Sequence, residues 1–297
     1  PYIRHLVQYI TRNKPDWSLT ICIPHTQRSW IGKAHFAGKN LCASFIYTDP
    51  EAQDNSFWGP YPLPQRPMVT SSSPKNLARP TLLPAIPNHD IPSDAIEWCL
   101  LDGTPASCTD IGLHHLIPDK FDLVISGPNV GRNTSAAYIT SSGTVGAAME
   151  AVITGNTPAI GLSWAYFDGR KLMDDAVFYQ ASKRSCEVIQ YLKDHWHPEV
   201  DLYSINIPLL KSLCDDTKVM YAPILENKWC NIFSPATLHG EAQGDIEDGA
   251  ELQCVKFHWN PDFRKQRQAI FDSEGINDGR VIENGMISVT PLRAVLK

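Results

Sequence analysis

No apolar run in the 297-residue chain reaches the roughly 18 residues that span a bilayer, and no signal peptide is visible. Basic residues are not in excess. The 26 Lys and Arg against 32 Asp and Glu leave a net charge of −6, which speaks against a direct nucleic-acid binder, whose phosphate contacts need a basic face. The dense basic run Arg264-Lys265-Gln266-Arg267 reads as solvated surface. None of the eight cysteines stands in a CxxC pair, and their spacing is irregular. They are expected to be reduced thiols in a cytoplasmic chain, with no cysteine-held zinc. His114 and His115 are adjacent, and neighbours on a helix point to different sides, so they are not expected to share a metal. Internal repeats and low-complexity tracts are lacking as well.

What remains is a sequence with 43% hydrophobic and 20% charged residues, enough for a packed core. Ile3, Leu6, Val7 and Ile10 recur at helical spacing and predict an amphipathic helix over 3–12. Short buried strands are expected at 18–24, 95–100, 122–126, 158–164 and 202–208. Helices are expected at about 105–116, 142–154 and 174–196. Strands that alternate with helices argue for an α/β fold: a Rossmann-like three-layer sandwich around a mostly parallel sheet. Two stretches break the alternation. Ten of the 23 prolines fall between Asp49 and Pro92, so 49–94 reads as a Pro-rich, irregular insertion. Residues 209–297 carry Gly- and Asp-rich turns and short β-like runs. A C-terminal β-hairpin arm that reaches a neighbouring subunit is expected there. The whole reads as a single domain, 1–297.

The segment SGPNVGRNTSAAYITSSGTVGAAMEA, residues 126–151, packs four glycines and two asparagines between a strand and a run of small residues. Ligands of open α/β sheets sit beyond the carboxyl ends of the strands, where this loop is expected. Gly127 and Gly131 allow close approach of a ligand, and Asn129 and Asn133 offer neutral oxygens. Ser142-Gly143-Thr144 falls at the next helix start, where unpaired N–H groups and the helix dipole favour an anion. The Lys-Ser/Thr ending of a Walker A loop and the GxGxxG fingerprint are both absent. By composition alone, the segment reads first as a tight strand-to-helix connection with a Ser N-cap.

DLVISGPNVGRNTSAAYITSSGTVGAAMEA resembles the signature of the SurE family of metal-dependent nucleotidases, a strand ending in SGxNxGxN followed by SGTVxAAxE. ICIPHTQRSWIG resembles that family's Arg-Ser loop, with Trp30 where glycine is usual. LDGTPASC (101–108), SINIP (204–208) and SVTPL (288–292) are similar to other family segments in the same order. The resemblance implies hydrolysis of nucleoside 5′- and 3′-monophosphates with one Mg²⁺ or Mn²⁺. It implies Ser29 and Asn129 as metal ligands and catalytic groups, and Asn133, Ser142, Gly143 and Thr144 as phosphate contacts. All-oxygen ligation suits such a hard cation. Two aspartates of an NDDG loop have no counterpart here, because residues 1–17 resemble the helix that follows that loop. The first strand and its NDDG loop are therefore expected before Pro1. Arg28 and Arg132 are candidate phosphate-steering groups, Glu150 and Asp102 structural ones, and Trp58 and Trp98 candidate base-stackers, with Trp98 more like core. A homodimer or higher homo-oligomer is expected.

A second reading comes from the same resemblance. Some fungal members fuse a SurE-like domain to a tubulin-tyrosine-ligase-like domain in a protein associated with mRNA-decay bodies. In that reading the chain is a catalytically weak or inactive interaction module of a larger protein. The Pro-rich insertion and Trp30 point to such a divergent, eukaryotic-type member.

Overall fold

The computed structural model describes residues 2–52, 54–66, 82–167, 174–235 and 255–294. The chain opens with α1 (Tyr2–Asn13), which buries Leu6, Val7 and Ile10. Next come β1 (Cys22–Pro24), β2 (Ala43–Thr48), β3 (Trp58–Tyr61) and the two-residue β4 (Gln65–Arg66) and β5 (Ile86–Pro87). They lead to β6 (Ile96–Leu101). Four of these form one mixed sheet in the order β1-β6-β2-β3. Its β1 runs parallel to β6, with Cys22 opposite Cys99, and β2 is antiparallel to both β6 and β3. Part of the Pro-rich stretch therefore pairs after all: β3 carries Pro60 but is an edge strand, where a missing N–H is tolerated. Residues 67–81 of that stretch lie outside the described residues. Strand β2 was not expected from the sequence.

From β6 the chain turns into α2 (Pro105–Ile111). Thr104 caps it by accepting from the Ser107 N–H, and Pro105 takes the first helical position. A π-helical turn, Gly112–Leu116, ends it. Then follow β7 (Val124–Val130), α3 (Ser135–Ser141), α4 (Gly143–Gly155), β8 (Ala159–Ala165), α5 (Asp175–Asp194) and β9 (Leu202–Pro208). The chain closes with β10 (Val219–Tyr221), β11 (Phe233–Pro235), β12 (Phe257–Trp259), α6 (Phe263–Asp272), α7 (Asp278–Glu283) and β13 (Ile287–Leu292). The second sheet has the order β10-β13-β9-β8-β7; β7, β8 and β9 are mutually parallel, and β13 returns antiparallel to β9. The result is an α/β protein with mixed, largely parallel sheets.

Strands β8 and β9 are buried at every position, and their alternation assigns each face a helix layer. Ile160, Leu162 and Trp164, with Tyr203, Ile205 and Ile207, pack against Val177, Phe178 and Ile189 of α5 and Leu6 and Ile10 of α1. Ala159 and Leu202 meet Val145, Ala148 and Ala151 of α4 on the other face. Each large aliphatic group sealed in this way contributes about 1.5–3 kcal/mol. The one polar atom of Trp164 is satisfied, since Nε1 donates to Ser185 Oγ at 3.0 Å. Trp98, read as core, is core: its Nε1 donates to Thr48 Oγ1 at 2.9 Å.

Among the described residues of the C-terminal segment, β11 pairs antiparallel with β12, and two helices, α6 and α7, follow that the β-like runs did not announce. Among the described residues no helix is long and apolar enough to cross a membrane.

Candidate functional site

Two glycines fix the backbone of the site. At Gly127, with φ +123°, an added Cβ would stand 2.2 Å from the Leu162 carbonyl oxygen, so only glycine lets β7 approach β8 here. At Gly146, on α4, a Cβ would stand 2.7 Å from the Gly32 backbone and the Lys33 nitrogen. The missing side chain lets the 28–33 loop lie directly on α4. The Gly32 N–H donates to the Ser141 carbonyl at 3.1 Å and completes that contact. The Arg-Ser loop and the α4 N-terminus are thereby neighbours, although more than a hundred residues separate them.

Both border a cleft of about 1180 Å³ that Ser29, Asn129, Asn133, Ser142, Gly143 and Thr144 all line. The structure therefore brings together the six residues singled out from the sequence. Ser29 is exposed in its turn, and its Oγ accepts from Gln27 Nε2 at 2.9 Å. Asn129 lies on β7 and gives its Nδ2 to the Gly131 carbonyl at 3.2 Å. Asn133 is only 6% exposed, and its Nδ2 donates to Ser163 Oγ at 2.8 Å. Ser142 is the N-cap of α4, accepting from the Val145 N–H. The N–H groups of Gly143 and Thr144 have no place in the helix ladder, and α4 has no acidic residue in its first turn. That end of the helix favours an anion.

Arg28 and Arg132 also line the cleft, but each already has a carboxylate. Arg28 Nη2 reaches Asp102 Oδ1 at 3.2 Å, and Arg132 Nη1 pairs with Glu283. Glu150 is 3% exposed and pairs with Lys33 and His35 on the 33–35 segment, so it ties that loop to α4. Trp58 packs in the cluster of Phe45 and Tyr47, away from the cleft.

Sequence reasoning missed what holds the loop from below. Asn206 on β9 accepts the Asn133 N–H at 2.9 Å. Asp278, fully buried at the start of α7, accepts N–H groups from Ser135, Leu225 and Gly279 at 2.7, 3.0 and 2.8 Å. Burial pushes its carboxyl above the usual range, and those three donors pull the other way. Ser135, at φ +71°, is one of three described non-glycine residues with positive φ. Trp30, at φ +62°, is another, a conformation that costs a residue other than glycine about 1–2 kcal/mol.

The cleft continues between the two sheets. Edge strands β1 and β7 and the residues that lead into them face it, through Ile21 and Ile23 on one side and Leu123 and Ile125 on the other. Ile3 and Leu6 of α1 also line it. The carboxyl ends of both edge strands open at the mouth with the site residues.

The donors fit a hard cation in kind and fall short in number. Ser29 Oγ and the Asn129 carboxamide are neutral oxygen groups. Among the described residues, no group of three or more His, Cys, Asp or Glu could hold a metal.

The structure is thus an α/β protein whose small-residue loop, capped helix N-terminus and neutral side-chain oxygens border one cleft. Residues 1–231 match the family described as Survival protein SurE, and the chain belongs to that family. It is 54% identical over its full length to the "Probable tubulin--tyrosine ligase PBY1" of Saccharomyces cerevisiae, of which it spans 39%. It is 37% identical, over 44% of its length and 45% of the other's, to the "5'-nucleotidase SurE" of Hyperthermus butylicus. The crystal structure of the SurE protein from Aquifex aeolicus superposes with a TM-score of 0.49 at 25% identity, covering 70% of this chain and 73% of that one. The chain thus matches less than half the length of each of these two curated relatives.

Proposed function

We propose that this chain is the SurE-like module of a larger protein, catalytically weak or inactive. Its cleft takes the phosphate end of a nucleoside monophosphate or another phosphomonoester. One observation carries the binding part: Ser142, Gly143 and Thr144 open the N-terminus of α4 at the cleft that Ser29 and Asn129 also line. The N–H groups and hydroxyls there hold the phosphate oxygens, and Asn133 has a second amide hydrogen beyond the one given to Ser163. The larger-protein part is supported by the full-length likeness to a relative more than twice as long.

A second reading is favoured by the presence of Ser29 and Asn129: a metal-dependent 5′/3′-nucleotidase with Mg²⁺ or Mn²⁺. A bound cation supplies charge neutralisation and an acidified water. The residues present would contribute Ser29 and Asn129 as ligands, with two aspartates from a segment preceding residue 1. A strand from that segment would lie between β1 and β7 and join the sheets into one Rossmann-like three-layer sandwich. Exposed Phe233 and Phe257 on β11 and β12 support self-association through the 209–297 region.

Phosphate release from a panel of nucleoside monophosphates by the full-length protein, with Mg²⁺, Mn²⁺ or EDTA, separates the two. The module reading expects release no greater than that of Asn129→Ala with any metal. Metal-dependent release that Asn129→Ala loses would replace it with the nucleotidase.

A further inference from the structure

Beside the phosphate cradle, the same cleft has an aromatic side. Trp30, Tyr138, Trp259 and Phe263 line it. Their rings touch edge-on or tilted: Trp30 to Trp259 at 5.3 Å between centroids, Trp30 to Phe263 at 6.1 Å, and Trp259 to Phe263 at 6.1 Å. Tyr138 lies parallel to Phe263, with an interplanar angle of 10°. Behind them Trp229 is fixed by its Nε1, which donates to the Ala137 carbonyl at 2.8 Å and to Ser141 Oγ at 3.1 Å, and Trp30 packs on it at 4.5 Å.

Three features distinguish this cluster from ordinary packing. After contacting one another, Trp259 and Phe263 are still 50% and 42% exposed. Trp30 occupies a left-handed turn that would suit glycine, and strain of that kind gathers at ligand-contacting positions. The cluster also sits at a defined place: Trp30 follows Ser29 directly, and Trp229 is bonded to Ser141, the residue before the α4 cap. A planar group attached to a phosphate held at Gly143 and Thr144 would meet these rings.

We infer that Trp30, Tyr138, Trp259 and Phe263 form the wall that stacks the base of a nucleoside monophosphate, with Trp229 positioning Trp30. This rests on the phosphate-binding reading of the cleft and adds to it the residues of this chain that distinguish a base-bearing from a base-free phosphomonoester. Stacking discriminates weakly among bases, because every base offers a π-face.

Calorimetric titration of the full-length protein with AMP, ribose 5-phosphate and inorganic phosphate tests it, on wild type, Trp30→Gly and Trp259→Ala. Trp30→Gly removes the ring and relieves the backbone, so misfolding does not obscure it. The wall predicts that AMP binds at least about tenfold tighter than ribose 5-phosphate, and that each variant loses about tenfold for AMP alone. Base contact also quenches tryptophan fluorescence in the wild type. Equal affinities for AMP and ribose 5-phosphate would overturn the wall and leave the cradle intact. Variants that change self-association but not AMP affinity would overturn it too, by assigning the rings to a subunit contact. Failure of all three probes to bind would remove the cradle and the wall together.

Discussion

Strands β8 and β9 are buried at every position, whereas β12 is exposed at all three of its residues and β11 at two of three. The first pair is held by its side chains, against α4 on one face and α1 and α5 on the other. The second pair reaches the rest of the fold through Trp259 of β12, which leans on Trp30 and Phe263. Yet the C-terminal segment is not uniformly peripheral. Its α7 and β13 are built into the core through Val281, Ile282, Ile287 and Val289, and Asp278 holds the glycine loop from below. Among the described residues the buried scaffold thus extends into the last third of the chain, and β11 and β12 form an exposed ribbon beside it.

The sharpest way to break that comparison is Asp278→Ala. It strands the three backbone N–H groups of Ser135, Leu225 and Gly279. We expect a loss of about 3 kcal/mol in denaturant unfolding, far more than a peripheral arm would give. Phe257→Ser on the exposed ribbon should change the stability of the dissociated chain by no more than about 0.5 kcal/mol. A large loss there in the same unfolding experiment would mean that the ribbon is buried against a second copy.

The smallest effect concerns His5, which stacks on Phe178 at 4.7 Å and whose burial lowers its pKa. A folded-state pKa below the unfolded value of 6.5 means that the unfolded chain takes up the proton first. Stability is therefore full above about pH 6.5 and falls as the pH drops towards the folded pKa. Tm measured from roughly pH 7.5 to 5.5 should decline less steeply in His5→Phe, which keeps the ring contact. Parallel profiles would rule His5 out as the cause.

Legibility in the sequence followed the same division. The expected 158–164 and 202–208 strands are β8 and β9 within a residue, and the 142–154 and 174–196 helices are α4 and α5 within two. Continuous burial and clear caps leave unmistakable patterns there. Helix α6 was read as a basic surface run because it buries only Gln266 and Ile270, too narrow a stripe to show. Helix α7 is six residues long and contains a glycine. Strand β2 lacked the alternation that would have marked it. In the site, the local motif 126–151 was visible, since its glycines and asparagines are consecutive in the chain. The aromatic wall joins residues 30, 138, 259 and 263, with Trp229 behind them, which no local pattern connects; Trp30 in place of a glycine was the one trace of it. The pairing of Asp278 with Ser135 spans 143 positions and left none.

The central claim is that the α4 N-terminus receives a phosphate, and Thr144→Asp tests it directly. A carboxylate in the first turn favours the helix dipole by about 0.3–1 kcal/mol, so the fold should hold while a phosphate is repelled. Titration of the full-length variant with AMP, beside its thermal unfolding, is expected to show an unchanged or higher Tm and an affinity at least about tenfold lower. An unchanged AMP affinity in a folded Thr144→Asp protein would contradict the account.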